Sequence, residues 1–139
     1  MANKEKPTGK SISEKAKAAK LRTEDATTHD KGGKKIKLTP ADLGHLKSPE
    51  ELEQGQFIGL LETEVAGDKS GLPPGTYNTF LAKVGGDWQV YAESGGTIVA
   101  EAASVVERKD TPKNMKPQYR DGSFCWWVWL IFTGFTWCF

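Results

Sequence analysis

Two cysteines in 139 residues are too few for a disulfide scaffold, and two histidines sixteen positions apart (His29, His45), with no cysteine near them, lack metal-ligand spacing. There is no C-x-x-C pair, G-x-S-x-G elbow, H-E-x-x-H helix or calcium-loop pattern. Thr8-Gly9-Lys10-Ser11 matches only the end of a phosphate-binding loop, because Lys4 stands where the first glycine belongs and no strand precedes it. Without these patterns the reading is a non-enzyme with no cofactor and no metal. No repeat of twenty residues or longer is visible, which excludes a solenoid or propeller. The opening Met-Ala-Asn-Lys-Glu-Lys-Pro lacks the apolar core of a secretory signal, so a cytoplasmic location is expected, with a membrane-associated one as the alternative.

What is present is unevenly distributed. Residues 1–38 hold eleven Lys/Arg against five Asp/Glu, a net of +6, while residues 39–139 hold eight against thirteen, a net of −5. The first segment is poor in large apolar side chains, and its composition reads as a disordered basic arm over 1–38. One helix is expected inside it, with Ser11 and Glu14 as a capping box and good helix formers from Ser13 to Arg22. Asp30 to Lys35 reads as glycine- and lysine-rich linker.

Residues 39–55 read as a short helical linker of two turns, Thr39-Pro40-Ala41-Asp42 and Ser48-Pro49-Glu50-Glu51. Each has a hydroxyl cap, a proline at the first helical position and an acid in the first turn. From Gln56 the pattern changes to strands. Phe57 to Glu64 is the first, followed by a loop through Pro73-Pro74-Gly75. Three further runs, Thr76 to Val84, Asp87 to Ser94 and Thr97 to about Glu107, are joined by Gly85-Gly86 and Gly95-Gly96, which predicts an antiparallel meander. The turns imply that Leu81 faces Val90, Lys83 faces Trp88, Phe80 faces Tyr91, Ala92 faces Val99 and Tyr91 faces Ala100. Both faces of that sheet are apolar and call for cover. Arg108 to Gly122 reads as a polar connecting loop.

The last sixteen residues, Phe124 to Phe139, contain no charge, four of the five tryptophans, four of the six phenylalanines and both cysteines. As a helix they would span about 24 Å, short of the roughly 30 Å of a bilayer core. Their β-branched and aromatic content favours a hairpin instead. A loop at Thr133-Gly134 would pair Phe132 with Phe135, Leu130 with Trp137 and Trp129 with Cys138. In that register Cys125 lies about 13 Å from Cys138, beyond the roughly 7 Å a disulfide allows, so free thiols are expected.

The fold class is therefore mainly β. We expect a small antiparallel sandwich or partial barrel over 56–139, ending in the aromatic hairpin, with a disordered basic N-terminal arm and two short helical turns. The function expected is protein binding or self-association through the aromatic segment, with Trp126, Trp127, Trp129, Trp137 and Phe139 as binding residues. Two alternatives stand beside it: a membrane-associated protein whose tail anchors it to an anionic surface, and a precursor of a modified C-terminal peptide. The basic arm has no aromatic residue and the aromatic tail no charge, which argues against a specific nucleic-acid partner.

Overall fold

A computed structural model describes residues 6–44, 46–68, 71–101, 105–109, 116–130 and 133–139. It contains two antiparallel sheets. The larger is formed by β1 (Thr27–Lys31), β2 (Lys34–Pro40), β3 (Gln56–Thr63), β4 (Gly75–Val84), β5 (Asp87–Ser94) and β6 (Thr97–Glu101), which lie side by side in chain order. The smaller contains β7 (Val105–Arg108), β8 (Gln118–Arg120), β9 (Ser123–Leu130) and β10 (Thr133–Cys138), in the order β7-β10-β9-β8. Helix α1 (Gly9–Ala18) packs on the larger sheet, and α2 (Pro49–Glu53) leads into β3.

The chain is mainly β, and its layers form a sandwich rather than a closed barrel. Ile36, Leu38, Ile58, Leu61, Leu81 and Val90 of the large sheet meet Phe124, Trp126, Val128, Phe135 and Trp137 of the small one in a single core. Gly59 makes this approach possible, since a side chain there would run into the Trp126 ring and the Thr39 carbonyl. Trp88 meets Phe135 edge-on, with ring centroids 4.6 Å apart.

The meander forms at the glycine pairs as predicted: both residues of Gly85-Gly86 and of Gly95-Gly96 have positive φ, and Leu81–Val90, Lys83–Trp88 and Phe80–Tyr91 are register partners. Its third run, expected over Thr97 to about Glu107, is divided, since β6 ends at Glu101 and Val105–Arg108 belongs to the other sheet. Beyond Glu93 the register differs from expectation. A bulge between Ala92 and Glu93 pairs Ala92 with Ala100 and Tyr91 with Glu101, so Ala100 packs toward the inter-sheet core while Val99 is exposed. The buried Glu93 carboxylate anchors the turn by accepting from the Asn78 side-chain amide and the Gly96 backbone N–H, each at 2.8 Å.

The expectation of a disordered arm does not hold for the described part of 1–38. Helix α1 is followed by the β1–β2 hairpin, whose Gly32-Gly33 turn uses the same positive φ as the meander turns. Ile36 and Leu38 are fully buried while Lys35 and Lys37 point to solvent, so a polar average concealed a period-two strand. The helix cap also differs. Thr8 and Ser11 form the box, and the helix starts at Gly9 instead of Ser13. Thr39-Pro40 ends β2 and is not a helical turn, because Thr39 pairs with Leu60 and Pro40 with Gly59. The second turn forms as α2 with Pro49 in its first turn, although Ser48 makes no side-chain cap bond. Gln118 to Arg120, assigned to a loop, is a short edge strand beside β9; positions 110–115 of that loop lie outside the described residues, as do residues 1–5 of the arm.

Candidate functional site: the outer face of the four-stranded sheet

The C-terminal segment forms the expected hairpin, with its pairing centred two residues earlier. Leu130 pairs with Thr133, Trp129 with Gly134, Trp127 with Thr136 and Trp126 with Trp137. Cys125 lies opposite Cys138, and their α-carbons are 4.1 Å apart and joined by a disulfide. The free-thiol expectation is thus corrected, along with the Trp129–Cys138 pairing on which it rested. The physical reason is ladder length. A loop at Thr133-Gly134 would leave residues 124–127 without partners, whereas the observed register pairs the strand to its end, where Phe124 and Phe139 exchange two backbone hydrogen bonds of 2.9 Å. The turn positions 131 and 132 lie outside the described residues.

Both registers have the same parity, so side-chain alternation is the same in each. Phe124, Trp126, Val128, Phe135, Trp137 and Phe139 enter the core. Of the five residues expected to bind a partner, Trp126, Trp137 and Phe139 are at most 2% exposed and belong to the interior. The indole N–H groups of Trp126 and Trp137 find no acceptor among the described residues. Buried donors left this way cost about 1–3 kcal/mol each, which packing must offset.

Trp127 and Trp129 sit on the opposite face, half-buried and two positions apart on β9. Across the ladder they face Thr136 and Gly134 of β10, and β7 next brings Val106 opposite Thr136 and Arg108 opposite Gly134. Among the described residues, Val106 is one of two large hydrophobic side chains that are 45% exposed. On the other side, β8 sets Gln118 against Cys125 and Arg120 against Ser123. The disulfide belongs to this face as well, with Cys125 buried and Cys138 exposed. The face is thus a pair of aromatic side chains and an exposed valine on a cross-linked hairpin, and its strand positions include two arginines and no carboxylate. Sequence alternation on β9 was sufficient to separate Trp127 and Trp129 from Trp126; the segment's uniform apolarity hid that division.

Further polar contacts lie away from this face. Where β1 meets β8, Lys31 donates to the Tyr119 hydroxyl at 3.0 Å, Thr27 donates to the Pro117 carbonyl at 2.6 Å, and the Tyr119 N–H reaches His29 Nε2 at 3.4 Å. The Tyr119 hydrogen bond and the Asp68 carboxylate hold the Lys31 ammonium above its ordinary pKa. The half-buried His29 is therefore part of a seam between the sheets rather than a wholly exposed imidazole, while His45 lies outside the described residues. On the far side of the larger sheet, the Lys6–Glu101 ion pair of 2.5 Å raises Lys6. Burial raises the nearby Tyr91, with Glu101 adding to the effect. Among the described residues no three His, Cys, Asp or Glu side chains converge as a metal ion would require, and no helix is long and apolar enough to cross a membrane. Comparison with protein families, curated proteins and solved structures finds no match to this chain.

Proposed function

We propose that this protein is a non-enzymatic binding module that docks a protein partner, or a second copy of itself, through the outer face of the four-stranded sheet. The observation that carries this reading is the pair Trp127 and Trp129, large aromatics kept half-exposed beside Val106 while their neighbours Trp126 and Val128 fill the core. Tryptophan supplies much contact area with little rotamer entropy, and it dominates interface energetics more than other side chains. The disulfide and the paired strands hold both indoles in fixed positions before binding, which lowers the ordering cost.

The membrane alternative draws on the same indoles. However, the lysines of α1 cover the larger sheet, at the opposite outer layer of the sandwich, so one flat bilayer cannot take up both. The peptide-precursor alternative requires removal of six side chains from the main core. Disulfides persist in oxidising compartments, so the Cys125–Cys138 bridge favours such a location over a reducing cytoplasm.

Light scattering across a wide concentration range, with cross-linking to candidate partners, tests the reading. The wild-type chain is expected to associate, and Trp127→Ser with Trp129→Ser to abolish association while melting shifts by only a few degrees. Identical behaviour of wild type and double variant, or recovery of the wild type with anionic vesicles on flotation as a monomer, would remove it.

A further inference from the structure

We infer that the Cys125–Cys138 bridge is a thiol–disulfide exchange site, attacked at Cys138 by the thiolate of a small molecule or of a partner's cysteine. The chain has no third cysteine, so the attacking thiol comes from outside. Exchange is decided by which sulfur a thiolate can reach and which one can leave. The two cysteines differ in access. Cys125 is 5% exposed, with Gln118 of β8 on one flank and Cys138 of β10 on the other. Cys138 is exposed, and among the described residues β7 accompanies β10 only from Gly134 to Trp137, one residue short of it.

The incoming thiolate bonds to Sγ of Cys138 while the Sγ–Sγ bond breaks, and the electron pair leaves on Sγ of Cys125, which takes a proton from water. A second thiolate then attacks the sulfur of the first, forms an external disulfide and releases Cys138, which is protonated in turn. The net change converts the protein disulfide and two thiols into a protein dithiol and one external disulfide.

The hairpin keeps its shape when the bridge opens. On one side of it Trp126 pairs with Trp137, and on the other Phe124 and Phe139 exchange backbone hydrogen bonds of 2.9 Å, with both rings in the core. These rungs hold Cys125 opposite Cys138 while the external thiol is attached. The resulting high effective concentration lets Cys125 expel that thiol and re-form the bridge, so the exchange is reversible. A substituent on Cys138 stands on the row next to Thr136 and Trp127, on the same face. Apolar groups beside the attacking thiol can pack there, although the chemistry at Cys138 is independent of any docking role of Trp127 and Trp129.

Peptide mapping after acid quench tests this on the full-length protein, treated in parallel with glutathione and with a short peptide whose cysteine is flanked by leucines. Both thiols should open the bridge with circular dichroism unchanged, and the mixed disulfide should map to Cys138. A faster reaction with the peptide identifies a protein cysteine as the source and a faster one with glutathione a small thiol; exchange at Cys138 is upheld by either. Full-length Cys125→Ser, given oxidised glutathione, should form a lasting mixed disulfide at Cys138, at least about tenfold faster than Cys138→Ser forms one at the buried Cys125. Melting verifies that each variant is folded, and the wild-type result stands whatever the variants do. Opening of the wild-type bridge no faster than global unfolding in the same buffer, a mixed disulfide at Cys125, or equal labelling of the two folded variants would each overturn the inference.

Discussion

The two ends of this chain reach one core from opposite compositions. The N-terminal segment is basic and poor in large apolar residues, yet β2 buries Ile36 and Leu38 as completely as β9 and β10 bury Trp126 and Phe135. The C-terminal segment is apolar at nearly every position, yet only alternate large side chains enter the inter-sheet core, and Trp127 and Trp129 remain half-exposed on the other face. The difference teaches that burial follows the two-residue period of a strand, so segment averages mislead in both directions.

The sharpest test of that contrast compares neighbours. Trp126→Ala empties the site against Gly59 and should cost about 3–5 kcal/mol in chemical denaturation, whereas Trp127→Ser, one residue along, should cost less than about 1 kcal/mol. Equal losses would mean that the two faces of β9 are not distinct. At the other end, Leu38→Ala should cost about 3 kcal/mol and Lys37→Ala almost nothing, by the same measurement. A negligible effect of Leu38→Ala would restore the view of the N-terminal segment as a dispensable arm.

A smaller effect is expected from the disulfide, which closes a loop with a sequence separation of 13 at the open end of an already paired hairpin. Replacing both cysteines by serine should lower stability by about 2–3 kcal/mol and leave the secondary structure unchanged by circular dichroism. Unfolding of the double variant would show that the bridge, rather than aromatic packing, holds the C-terminal end.

The smallest effect concerns pH. Burial raises Tyr91 and Tyr77 above the ordinary phenol pKa, with Glu101 adding to Tyr91 and Lys6 opposing it. The unfolded phenols therefore ionise first, so the unfolded state binds fewer protons and stability falls as pH climbs above about 10. Tyr91→Phe should flatten that alkaline decline in melts between about pH 9 and pH 11. It should also change neutral-pH stability little, because the Tyr91 hydroxyl finds no acceptor among the described residues. An unchanged slope would refute the role given to Tyr91.

Much of the architecture was legible in local chemistry. The glycine pairs defined the meander, proline with two acids marked α2, and aromatic content pointed to a terminal hairpin. Gly32-Gly33 carried the same hairpin signal between Asp30 and Lys34, but the surrounding lysines led to a linker reading. At the candidate face, alternation along β9 already separated Trp127 and Trp129 from Trp126, but which of the two sets faces the core was not visible, because the segment is apolar on both sides and the answer depends on the sheet it packs against.

By itself the sequence determined the class of the fold, the tight turns and the need to shelter the C-terminal aromatics, because these depend on backbone geometry and apolar area within a few neighbouring residues. Only the tertiary structure decided that β2 joins the large sheet, that Cys125 meets Cys138, and that Trp127 and Trp129 look outward. The first and last of these depend on packing between segments distant along the chain, and the second on which hairpin register pairs the most backbone groups.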